Sequence, residues 1–144
     1  MDAKIPTITM DAKIPTITTS DYDTIKKYYD DILNKDADLV VTTNDEPTPI
    51  ECVEEMVNKI PESFWKNENI KILDPCCGCG NFPFVIYYKL LKYHKRKHIL
   101  SNMLYLNDLN MKRTDVLENI FDSELNICNE DFLEINMTEK FDLI

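Results

Sequence analysis

The sequence predicts an α/β fold built on a parallel sheet, and three observations point there. A short apolar strand, Ile70, Ile72 and Leu73, runs into Asp74 and then into a turn that holds Gly78 and Gly80, the only glycines in the chain. A second apolar run over 102–110 again reaches a carboxylate, Asp108, and is followed by Val116, Leu117, Ile120 and Phe121 at helical spacing. Two further short strands are expected within 124–133 and at 141–144. Strand, acid and helix in alternation is the pattern of parallel strands joined by helical crossovers.

Taken in order, the chain opens on a duplication: the segment from Met1 to Thr9 recurs from Met10 to Thr18, a unit too short for a solenoid repeat. Pro6, Pro15 and the threonines deny it a helical period, so residues 1–19 are expected to form an extended or disordered leader outside the fold. Residues 20–46 are read as an N-terminal helix and linker. Ser20 is the expected N-cap, Ile25, Tyr28, Tyr29, Ile32 and Leu33 form the apolar face, and a polar connection follows at 42–46. The next helix start is well specified: Thr48 and Glu51 have capping-box spacing with Pro49 at the first helical position. Ile50, Val53, Val57 and Ile60 make its stripe, and Pro61 ends it.

After the glycine turn, Asn81 is the expected cap of a helix that tolerates the early Pro83, because first-turn amides have no partner inside the helix. Phe82, Phe84, Val85, Ile86, Tyr87, Leu90, Leu91 and Tyr93 make that helix apolar on more than one face, as packing on a sheet requires. The basic run from His94 to His98 closes it, its cations complementing the helix C-terminus. His94 and His98 could share a helix face, but no third ligand accompanies them, so no metal site is expected.

Composition bounds the function classes. The 144 residues, 44% hydrophobic and 29% charged, suit one globular domain with a real core, 47–144. With no apolar run long enough to span a bilayer and no apolar signal region, an intracellular, cytoplasmic chain is expected. Five cysteines, three of them in the glycine turn, suit reduced thiols better than a disulfide framework. The formal net charge of −10 opposes phosphate binding, so any DNA affinity is expected from residues outside this chain.

The run Asp74, Pro75, Gly78, Gly80, Phe82 resembles the first motif of S-adenosylmethionine-dependent amino-group DNA methyltransferases. Thr48 with Pro49, upstream of it, resembles the motif that precedes the cofactor loop in the γ order of DNA adenine-N6 methyltransferases, the restriction-modification kind. The resemblance implies a Rossmann-like class I methyltransferase fold with an N-terminal helical segment, and S-adenosylmethionine as cofactor. It implies that Asp74, Pro75, Cys76, Gly78, Gly80 and Phe82 wrap the methionine part and that Thr48 touches the cofactor from its helix start. Asp108, with Leu109 beside it, is implied to accept from the ribose hydroxyls, a role that an acid at a strand tip suits. Asp131 and Phe132 are similar to the third motif, which implies an acceptor for the adenine amino group and an apolar neighbour for its ring.

Cys76 and Cys79 stand where the family favours other small residues. In the family the fourth strand leads into an Asn/Asp-Pro-Pro-aromatic motif that holds the target amino group, and no Pro follows Pro83. The expectation is thus a fold truncated after the fourth strand and inactive alone, its DNA contacts lying in the missing part, with a second chain a candidate for the catalytic half. The alternatives are a noncatalytic remnant or partner subunit, an RNA or protein-amide substrate, and a thiol-redox module through Cys76-x-x-Cys79 at a helix N-terminus.

Overall fold

The computed structural model describes residues 14–39, 46–122, 124–135 and 138–144. Strands β1 (Ile72–Asp74), β2 (Leu104–Asn107) and β3 (Asn126–Cys128) form a parallel sheet in the order β1, β2, β3, with Ile72 opposite Leu104 and Tyr105 opposite Asn126. On the other edge of β1, Leu143 makes an isolated parallel bridge with Ile72, and the Leu73 N–H donates to the Leu143 carbonyl at 2.9 Å. The expected fourth strand is therefore one bridge long, on the side of β1 away from β2. The fold class is α/β.

Helix α4 (Asn81–Leu91) connects β1 to β2, and helix α6 (Met111–Phe121) connects β2 to β3. Strand alternation puts Ile72, Leu104, Leu106 and Ile127 on one face, where the helices bury them. Leu73, Tyr105 and Asn107 point the other way, and there Phe141 meets Tyr105 edge-on at 5.3 Å. Helices α1 (Tyr22–Asp31), α2 (Ile50–Asn58) and α3 (Glu62–Lys66) complete the core around α4. Phe84 stacks on Tyr22 at 4.8 Å and on Tyr29 at 5.1 Å, and Ile50, Val53, Val57 and Trp65 are buried. No described helix is long and apolar enough to cross a membrane.

Three expected caps are corrected. Asp21, not Ser20, caps α1, its carboxylate accepting from Thr24 N–H at 2.8 Å while the Ser20 N–H is spent on the Thr16 carbonyl. Helix α2 has no side-chain cap: the Thr48–Glu51 box does not form, and the Thr48 carbonyl instead accepts from Asn81 Nδ2 at 2.6 Å. Asn81 is the first residue of α4 rather than its cap, because the preceding turn must be left-handed and Gly80, at φ +90°, takes the cap position.

Helix α4 ends at Leu91, so the basic run lies beyond it, ending in the short α5 (Arg96–His98). His94 and His98 hydrogen-bond through Nε2 to the carbonyls of Trp65 and Glu68, at 2.7 and 2.8 Å. Lys95, Arg96 and Lys97 are exposed and form no ion pair among the described residues. Of the segment set apart as a leader, residues 1–13 lie outside the described residues, as does most of the polar connection expected at 42–46. Ile14 and Ile17 are not set apart: both pack on the core, and the Ile17 N–H donates to the Ile120 carbonyl at 2.9 Å.

The two glycines do different work. At Gly80 a β-carbon would lie 2.3 Å from Leu117 Cδ2, whereas at Gly78, φ +59°, nothing lies within 4 Å. Gly80→Ala is expected to cost about 3 kcal/mol through left-handed strain plus overpacking. Gly78→Ala should cost only the strain, about 1 kcal/mol. Urea melts of the two variants check this, and equal losses would contradict the assignment.

Candidate functional site

Parallel strands expose their carboxyl ends where helix N-termini present free amides, and there the structure opens a cavity of about 270 Å³. Asp74 and Asp108 reach it from the tips of β1 and β2, the turn from Cys76 to Cys79 with Asn81 and Phe82 forms one side, and Pro47 and Thr48 lie before α2. Asn34, Leu39, Glu46 and Arg113 complete the lining.

Asp108 is buried, and it ties the turn to the sheet. Its Oδ2 accepts from Gly78 N–H and its Oδ1 from Asn110 N–H, both at 2.8 Å. Arg113 Nη1 lies 3.7 Å from Oδ2. An ionised carboxylate offers about four lone-pair sites, so acceptor capacity remains for a ligand. Behind it Asn107 joins three loops: its Nδ2 donates to the carbonyls of Pro75 and Glu130 at 2.9 Å, and its Oδ1 accepts from Glu130 N–H at 3.1 Å.

Burial lifts the Asp74 carboxyl to about 6, opposed by a hydrogen bond from the Cys76 backbone and reinforced by the charge on Asp108. Burial also pushes up the Cys76 and Cys77 thiols, with Asp108 and Asp74 adding to it. A redox pair at a helix N-terminus needs a lowered thiol pKa, so these shifts work against that use of the Cys76-x-x-Cys79 spacing. Cys52, Cys76, Cys77 and Cys128 are free thiols. Among the described residues no group of three or more His, Cys, Asp or Glu could hold a metal ion.

Six sequence-predicted residues line this cavity together: Thr48, Asp74, Cys76, Gly78, Phe82 and Asp108. Pro75, Gly80, Leu109, Asp131 and Phe132 are not among its lining residues. Gly80 faces Leu117 and Tyr29 instead, Leu109 is 70% exposed, and Asp131, exposed past β3, is near enough for its charge to act on the Cys76 thiol. Sequence reasoning missed Asn34, Leu39, Glu46, Pro47 and Arg113, did not assign Cys77 or Cys79 to binding, and read Asn81 only as a cap. Arg113 had a signal in its place in the first turn of the helix after Asp108, and Glu46 and Pro47 in theirs beside Thr48, whereas Asn34 and Leu39 arrive by tertiary folding.

No family profile and no curated protein matches this sequence. Solved structures do match, among them a modification subunit of a proposed type I restriction enzyme from Vibrio vulnificus YJ016. The likeness has a TM-score of 0.54 at 20% identity, over 77% of this chain, and it is a likeness of fold. This chain spans 24% of that subunit's length.

The raised Asp74 carboxyl sets a pH dependence. Between its ordinary value of 3.8 and about 6 the folded chain holds a proton that the unfolded chain has released, so stability falls as pH rises through that window and stays lower above it. Asp74→Asn is therefore expected to raise stability at pH 8 by about 2 kcal/mol, with the difference vanishing below about pH 4. Thermal melts of both proteins across pH check this, and a pH-independent difference would contradict it.

Proposed function

We propose that this chain is the S-adenosylmethionine-binding part of a DNA adenine-N6 methyltransferase of the restriction-modification kind, with a Rossmann-like class I methyltransferase fold. One observation carries the reading: two carboxylates at the tips of adjacent parallel strands flank a left-handed glycine turn at a helix N-terminus, in a single cavity. Supporting it are the order of the Thr48–Pro49 and Asp74-to-Phe82 motifs and the likeness of fold to a restriction-enzyme modification subunit.

The donors and acceptors fit the cofactor. Asp74 and the buried Oδ1 of Asn81, which has no partner among the described residues, are acceptors suited to an ammonium. The first-turn amides of α4 are donors suited to a carboxylate. Asp108 has capacity left for ribose hydroxyls, and Phe82 offers an apolar surface. Asp74, Asp108 and Glu46 against Arg113 leave the cavity lining net negative, which favours a ligand carrying a sulfonium and an ammonium. When bound, the cofactor supplies an electrophilic methyl group. The reading gives this chain the holding of that group and assigns it no catalytic residue. Recognition of DNA and of the adenine amino group falls to a catalytic half, in the same chain or a second one.

Calorimetric titration of monodisperse protein with S-adenosylmethionine and S-adenosylhomocysteine tests this. Binding is expected, weakened at least tenfold by Asp108→Asn. Affinity should rise between about pH 5 and 7 as Asp74 ionises beside the ammonium, and Asp74→Asn should flatten that rise. A folded sample that gives no heat with either compound would sink the reading.

A further inference from the structure

Two side-chain oxygens in the cavity lining are buried without a hydrogen-bond partner among the described residues, Asn81 Oδ1 and Asn34 Oδ1. A buried amide oxygen left unpaired is costly, and although Tyr28, Trp65 and Tyr88 also bury an unpaired polar atom, these are the two that belong to residues lining this cavity, where an arriving donor would satisfy them. Asn81 belongs to the helix that follows the glycine turn. Asn34 does not: it lies in the 3₁₀ turn Leu33–Lys35 of the N-terminal segment, outside the motifs that carry the resemblance.

Two contacts seat that segment on the site. Arg113 Nε donates to the Leu39 carbonyl at 2.7 Å while its Nη1 faces Asp108, so one guanidinium bridges the segment and the acid at the tip of β2. Tyr29 in α1 donates its hydroxyl to the Cys79 carbonyl at 2.8 Å, fixing the same segment to the glycine turn from behind. Leu33 and Leu39, on either side of Asn34, are buried in the core, so the turn between them is held at both ends.

We infer that residues 33–39 form a wall of the ligand pocket, seated by Arg113, and that the Asn34 amide oxygen accepts a hydrogen bond from an N–H of the bound ligand. The inference rests on the proposed cofactor reading and extends its binding residues into the N-terminal segment. Asn34 is then a binding residue and Arg113 a positioning residue that acts through Leu39 and Asp108.

The test uses the full chain with S-adenosylhomocysteine as probe. Asn34→Leu removes the acceptor at similar size, and about tenfold weaker binding is expected with no loss of thermal stability. Asn34→Asp keeps an acceptor and should bind within about threefold of the unsubstituted chain. Arg113→Met should speed tryptic cleavage after Lys35 in the ligand-free protein, and S-adenosylhomocysteine should slow that cleavage in the unsubstituted chain. If the unsubstituted chain binds and Asn34→Leu binds equally well, or if Arg113→Met leaves cleavage after Lys35 unchanged, the inference is overturned while the cofactor reading stands. If the folded, unsubstituted chain does not bind, the reading falls and the inference falls with it.

Discussion

The backbone at Gly80 passes so close to α6 and α1 that a β-carbon there would meet Leu117 at 2.3 Å and the Tyr29 hydroxyl at 3.2 Å, and the arrangement of the site depends on that approach. Leu117 comes from the second crossover helix and Tyr29 from the N-terminal helix, so three parts of the chain that are distant in sequence converge behind one turn. Burial keeps the Tyr29 hydroxyl neutral, its pKa raised well above the ordinary value, and it can then donate to the Cys79 carbonyl at 2.8 Å. With its back sealed by apolar packing, the turn has one side left for polar groups. That side carries the Gly78 amide and the first turn of α4, and it is met by the two strand-tip carboxylates.

Those carboxylates are held in different ways. Asp108 receives two backbone amides and a guanidinium, all from residues 78–113, so its charge is matched within the fold. Asp74 lacks such company, and burial with the nearby Asp108 charge lifts it to about 6. The site thus keeps one acid whose charge is matched and whose spare lone pairs suit neutral donors, and one whose ionised form is short of partners and is the better placed to gain from a cation. The same negative surroundings, added to burial, raise the neighbouring thiols, so the turn disfavours the thiolate form.

The sheet, its parallel sense, both crossover helices and the two acids were legible in the sequence, because strand–acid–helix is a local pattern repeated at Asp74 and Asp108. Gly78 and Gly80 marked the turn, but their separate duties were not legible, since only the packed structure says that Leu117 stands behind one of them. The caps at Ser20 and Thr48 failed for different reasons. At the first helix two competent cap residues stand side by side and the helix starts one position later, so Asp21 accepts from Thr24 N–H; at the second the helix begins at Ile50 with Pro49 in the cap position, and the Thr48 carbonyl is bonded by Asn81 from 33 positions away. Asn34 and Leu39 were illegible as site residues because only tertiary folding brings them there: Leu39 meets Arg113 through one hydrogen bond across 74 positions.

The basic run beyond α4 has a consequence for the molecule as a whole. From residue 82 to 107 there are five lysines and arginines and no acid, so the rest of the chain carries all 26 acids and a formal charge of −15. Helix α4, about 16 Å long by its eleven residues, holds that basic end apart from the acid-lined cavity at its start. One of the five, Lys89, is buried and ion-paired with Glu62, so the uncompensated positive charge sits at the far end of the run. The basic end is therefore a short-range feature: at low salt, where charge acts over about 30 Å, the net charge of −10 governs what the molecule approaches, and only as salt shortens that reach does the cluster of Lys95, Arg96 and Lys97 act by itself.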